Sequence, residues 1–158
     1  MKTALTLSLL ALAACSGESA KDKNDFAAMQ ARGEHVMGVD QYTSAHVFED
    51  LPDGGRVVLD RDDPSDMAGI KAIRAHMRDI QAAFRAGDFT KPFAVHAQVV
   101  PGMDVMRARR TAITYDVHDR PRGGEVRMTT HDRVAVAAIH QFLAFQRSAH
   151  HASGHEME

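Results

Sequence analysis

An α+β fold built from a duplicated strand-strand-helix unit is predicted by three features of the chain. Two Pro-x-Gly-Gly turns, Pro52-Asp53-Gly54-Gly55 and Pro121-Arg122-Gly123-Gly124, stand at one constant offset of 69 positions. Each turn is flanked by runs that read as strands, and each hairpin is followed by apolar residues at helical spacing. In the first unit Ala45 to Leu51 and Arg56 to Asp60 flank the turn, whose glycines tolerate the positive φ angles of a tight hairpin. The acidic cluster Asp62, Asp63 and Asp66 then offers helix-capping oxygens, and Ile70, Ile73, Met77, Ile80 and Phe84 form an apolar stripe that stops at Gly87. Thr111 to Asp119 and Glu125 to Thr130 form the second hairpin, and Val134 to Ser148 the second helix. Val57 pairs with Val126 at the 69-residue offset, and after a three-residue deletion Ala72-Ile73 pairs with Ala138-Ile139. Neither half closes a core alone, so the expected architecture is a four-stranded antiparallel sheet with two helices packed on one face. The connector from Asp88 to Arg110, which carries Pro92, Pro101 and Gly102, is expected to be mostly irregular.

The N-terminus places one basic residue, Lys2, before an apolar stretch that ends in Leu12-Ala13-Ala14-Cys15. About eleven apolar residues fall short of the roughly 20 that span a bilayer. The segment resembles the lipobox of bacterial lipoproteins. That resemblance implies removal of residues 1–14 as a signal peptide, lipid on Cys15, and a periplasm-facing protein held in the cell envelope. Ser16 after the cysteine suits the outer membrane. The polar stretch Ser16 to Asn24 buries too little apolar surface to fold, so residues 15–33 are expected to be a flexible tether. Residues 34–149 then make a single α+β domain, and residues 150–158 a disordered, histidine-containing tail.

Composition narrows the chemistry. The whole chain has a formal charge of −2, and loss of Lys2 would make it −3, which gives no general attraction to nucleic acid. Cys15 is the sole cysteine, so no disulfide, thiolate metal site or cysteine nucleophile remains once it carries lipid. Hydrolase, phosphate-loop, zincin, haem-attachment and dinucleotide motifs are missing, and no organic cofactor is indicated. Asp60, Asp62, Asp63 and Asp66 lack the spacing of a calcium loop and read as capping residues.

Ten histidines and nine methionines are the chemically distinctive component. Without thiols, they are natural ligands for a transition metal ion, copper first and zinc or iron behind it. Strand alternation turns His46 inward with Phe48, at the position matched by Tyr115 in the second unit. His76 flanks the buried stripe of the first helix, and His96 sits in the connector that can fold back over the sheet end. His46, His76 and His96 therefore form the expected metal set, with His35 or Met37 of His35-Val36-Met37-Gly38 assisting. Met103 and Met106 read as core, His140 as exposed, and His150, His151 and His155 as tail residues. The stretches His35 to Gln41, His46-Val47-Phe48, and Ala75-His76 through Gly87-Asp88-Phe89 to His96 resemble an uncharacterised family of exported bacterial proteins, which implies a recurring compact domain and no particular activity.

The leading expectation is thus a membrane-anchored periplasmic domain that binds a transition metal, with an envelope protein or metal donor as partner. Two other classes stay open: a binding module for a non-metal small ligand or protein, in which the histidines serve packing, and a metal-dependent enzyme using the same ligands. No catalytic residue and no oligomeric state can be assigned from the sequence.

Overall fold

The computed structural model describes residues 20–38, 40–152 and 154. The expected signal peptide, residues 1–14, lies outside the described residues, as do Cys15, Ser16 and His155. Helix α1 spans Ala20–Met37, and a short 3-10 turn (Gln41–Thr43) leads into hairpin one, β1 (Ser44–Leu51) and β2 (Gly54–Arg61). Helix α2 (Met67–Ala86) is followed by two short helices, α3 (Thr90–His96) and α4 (Met103–Ala108). Hairpin two, β3 (Thr114–Arg120) and β4 (Gly123–Thr129), and helix α5 (Arg133–His150) complete the order.

The four strands form one antiparallel sheet in the order β1-β2-β4-β3, as the α+β reading requires. The repeat extends to the register. Ala45 pairs with Asp60, His46 with Leu59 and Phe48 with Val57; shifted by 69 positions these become Thr114 with Thr129, Tyr115 with Met128 and Val117 with Val126, all observed pairs. At the β2–β4 seam Val57 faces its own counterpart, Val126. The sheet therefore has a pseudo-twofold axis through that pair.

Helices α2 and α5 each start on an aspartate N-cap. The Asp66 side chain accepts from Gly69 N, and Asp132 accepts from Val134 N and Ala135 N, so each oxygen satisfies amides that the helix itself leaves open. The helices pack on the sheet face carrying Phe48, Leu59, Val126, Met128 and Tyr115, and close a core with Ile73, Met77, Phe84, Ile139, Phe142 and Leu143. They do so crosswise: α2, which follows hairpin one, lies mainly over β3 and β4, whereas α5, which follows hairpin two, lies over β1 and β2. The second glycine of each turn motif permits this approach. A Cβ on Gly55 would sit 2.2 Å from Leu143 Cδ1, and one on Gly124 would sit 3.0 Å from Met77 Cγ. Side-chain-free backbone is what lets each helix drop onto the neck of a hairpin.

Three expectations change. The segment 20–37, placed mostly in a flexible tether, is helical; it buries Met29 and Gln30, and Arg32 Nε donates to Val95 O at 2.8 Å. Its apolar pattern is too weak to be read as a helix stripe, and contact with α3 supplies the stabilisation that propensity does not. The connector is largely helical, because Met103, Met106, Val95 and Val100 are core residues that anchor α3 and α4. Thr111 and Ala112, read as strand, form a 3-10 turn ahead of β3. Among the described residues, no helix is long and apolar enough to cross a membrane.

His140 is also corrected, from exposed to half-buried. Its Nε2 lies 2.9 Å from both Leu51 O and Gly54 O, so it must carry the proton and donate to the neck of hairpin one. Arg74 occupies the equivalent place on α2 and donates to Arg120 O at 2.6 Å and Gly123 O at 3.1 Å, the same two positions of hairpin two. His140→Ala should lower stability by about 1–3 kcal/mol, since two turn carbonyls lose their donor. Urea unfolding should show a lower midpoint at unchanged slope, and Arg74→Ala should behave alike; an unmoved midpoint would reject the anchoring role.

Candidate functional site

At one end of the helix-sheet interface lies a cavity of about 80 Å³, partly open to solvent, lined by Met37, His46, Phe48, Leu59, Phe142 and His150, with Lys91, Pro92 and His96 from α3 on its flank. Three elements deliver its imidazoles. His46 points inward from β1, as alternation demands. His96 ends α3, where Ala97 takes a left-handed conformation and stops the helix. His150 is the last residue of α5 and not a tail residue as the sequence reading had it. The rings of His46 and His150 stack with centroids 5.4 Å apart and planes 15° apart, and His96 meets His150 edge-on at 5.1 Å.

Their hydrogen bonding is incomplete in an informative way. His96 Nε2 lies 2.9 Å from Gln146 Oε1, an atom that only accepts, so this nitrogen carries the proton and Nδ1 the lone pair. His46 has a backbone hydrogen bond at Ser44, while its Nε2 is sealed from solvent and has no partner. His150 Nδ1 is sealed and unpartnered as well. Buried imidazole nitrogens normally find partners, so two side-by-side orphans are unusual. Burial, the largest effect on each ring, holds the pKa of His46 at about 4 and that of His150 at about 3, and it lowers that of His96. The neighbouring rings depress His150 further. All three are neutral at pH 7, which is the form that ligates a metal.

The expected ligand set is partly assembled. His46, His96 and Met37 line the cavity; His76 and His35 do not. His76 is buried on α2, close enough to His46 for the two charges to interact, and flanked by Lys91 and Asp79. His35 is exposed in the last turn of α1. The crossed helices explain the outcome. The helix that reaches β1 is α5, and it brings His150, while His76 stays on α2 outside the cavity lining. Among the described residues no three histidine, aspartate, glutamate or cysteine side chains already surround a common point, and the planes of the His46 and His150 rings lie nearly parallel.

The pseudo-twofold provides an internal comparison. Extending the 66-residue helix offset from Ile73/Ile139 matches Phe84 to His150, just as Tyr115 matches His46. In the other half Phe84 and Tyr115 pack edge-to-face at 5.9 Å, and Phe89 stacks on Phe84 at 4.5 Å. One half of the duplicated core is thus closed by aromatic rings and the other by imidazoles. The helix alignment, carried to its end, is the sequence signal that would have found His150.

No family model, curated protein or solved structure matches this chain.

The depressed histidines make stability depend on pH. In the unfolded chain these rings take up protons near the ordinary 6.5, while the folded His46 and His76 resist to about 4 and His150 to about 3. Between these limits the unfolded state holds more protons, so stability is full above pH 6.5 and falls as the pH drops toward 4, by at most about 1.4 kcal/mol per pH unit for each ring. Urea midpoints of metal-free protein between pH 7 and 4.5 should decline on this course, less steeply in His150→Phe; equal slopes in the two proteins would contradict the burial of His150.

Proposed function

We propose that this protein is a metal-binding module of the bacterial cell envelope, tethered by lipid on Cys15, that captures one copper ion in its monovalent state between His46 and His150, with the Met37 thioether as a third donor. The observation that carries the reading is the pair of sealed, unpartnered imidazole nitrogens in stacked rings, at a place where the duplicated half uses aromatic side chains. Packing alone would be served by an aromatic pair such as Phe84 and Tyr115, which leaves one hydroxyl without a partner, whereas the imidazoles leave two ring nitrogens desolvated without a hydrogen bond.

Monovalent copper suits the site better than zinc or iron. It accepts two or three soft or borderline donors, including thioether, and its single charge is less costly to bring into a carbon-lined space than a divalent one. The hydrogen bond at Ser44 fixes the His46 ring with Nε2 as the donor, the arrangement by which backbone carbonyls orient metal-binding histidines. Capture then requires the two stacked rings to turn about their side-chain bonds until the lone pairs converge. A second reading keeps the carbon-lined cavity as a pocket for a small apolar molecule, with the imidazoles as polar contacts.

The test uses the chain with Cys15→Ser, so that no thiol competes, titrated anaerobically with monovalent copper against a competing chelator. One equivalent should bind. The variant His46→Tyr/His150→Phe, which copies the other half, should lose that copper while unfolding at the same temperature or higher. Stoichiometric copper in the double variant would sink the proposal, and failure of the parent to bind copper or zinc would favour the apolar-ligand reading.

A further inference from the structure

The cavity has a neighbour. Between α1 and the end of α5 runs an open groove of about 420 Å³, lined by Asp22, Asp25, Phe26, Met29, Arg32 and, from the far wall, Gln98, Ser148 and His151. His96 lines both this groove and the inner cavity. Its ring is the partition between them: the Nε2 side is held by Gln146, one edge lies against His150, and Phe145 packs on it with centroids 5.0 Å apart.

Building on the copper reading, we infer that the groove under α1 is the access route for the ion and that His96 is the gate which passes it from the groove to His150 and His46. A ladder of soft donors runs inward. His151, exposed and stacked on Phe26 at 4.4 Å, and Met29 stand in the groove; His96 is shared; His150 lies 5.1 Å beyond it, and His46 5.4 Å further. The two inner steps are short enough for a monovalent ion to gain its next donor before leaving the last, so it does not cross the apolar space bare. The His96 hydrogen bond to Gln146 leaves Nδ1 as the lone-pair nitrogen, and a ring rotation presents that nitrogen to either side in turn.

Charge favours this route. In the groove the charged groups are the carboxylates of Asp22 and Asp25 and the guanidinium of Arg32, which is turned to the Val95 carbonyl. An approaching cation meets carboxylates there before it reaches the inner cavity, where the ammonium of Lys91 is among the lining groups.

The test separates rate from extent. Monovalent copper, supplied as its acetonitrile complex under nitrogen, is mixed with the full chain carrying Cys15→Ser, and bound copper is followed in time and at equilibrium. Ala28→Trp, which fills the groove from an exposed position and leaves His46 and His150 in place, and His96→Leu/Gln146→Leu, which removes the gate with its partner, should each slow loading by about tenfold or more while still reaching one equivalent. Asp25→Asn should slow it most at low salt. Loading of both variants at the parent's rate would overturn the route while leaving the copper site intact. Less than one equivalent at equilibrium in the His96 variant would overturn the gate by making His96 a ligand. A parent chain that takes up no copper would overturn the route together with the function it serves.

Discussion

The β2–β4 seam is the interaction on which the rest of the molecule depends. Val57 meets Val126 there, the two hairpins become one sheet, and each helix crosses the seam to cover the other hairpin. Because of the exchange, neither strand-strand-helix unit buries its own apolar face. A single unit would expose Phe48 and Leu59 on its hairpin and Ile73 and Met77 on its helix, and two strands with one displaced helix are not independently stable. The seam thus couples every core contact to the pairing of two segments distant in sequence. It also sets the chemistry, since it is the reason that the end of α5 comes to rest on β1.

How much of this could be read from the chain follows from what each signal encodes. The Pro-x-Gly-Gly pair with its constant offset specified the hairpins, their register and the order of elements, because turn geometry and side-chain alternation are local. The crossing of the helices was not local. Periodicity states which face of α2 or α5 is apolar and says nothing about which hairpin the helix meets, so the arrival of His150 beside His46 is not readable from the chain and His150 reads as tail. Helix α1 was illegible for a related reason: its stabilising partners, Val95 on α3 and Gln41 beyond its own end, are tertiary contacts, and its sequence alternates charged and small residues without a clear stripe. His46 and Tyr115 succeeded because both lie on strands, where one residue of phase decides inward or outward.

The same duplication serves as a control for interpreting the histidines. In proteins rich in histidine, one buried imidazole has a ready structural explanation: it hydrogen-bonds a carbonyl, as His140 does at the neck of hairpin one. His140 corresponds to Arg74, another donor that serves the same purpose on the same two carbonyl positions. There the chemistry of the two halves agrees, and structure accounts for it. At the cavity the halves differ in residue type: Tyr115 and Phe84 are aromatic, with the Tyr115 hydroxyl sealed and unpartnered, while His46 and His150 each leave a ring nitrogen unpaired beside a cavity that Phe84 also lines.

That asymmetry bears on energy as well as identity. Each sealed nitrogen without a partner costs on the order of 1–3 kcal/mol relative to a satisfied one, and both rings give up the proton they would hold more readily in water. The other half fills the equivalent positions with aromatic rings and leaves one polar atom, the Tyr115 hydroxyl, without a partner, against two ring nitrogens here. A ligand that supplies what the two nitrogens lack offsets the cost when it binds, so the binding free energy includes relief of a penalty already present in the empty protein. Positions where a duplicated core exchanges aromatic rings for imidazoles that can bind a ligand are therefore where a site is to be sought. In this chain, one such place joins β1, α5 and α3.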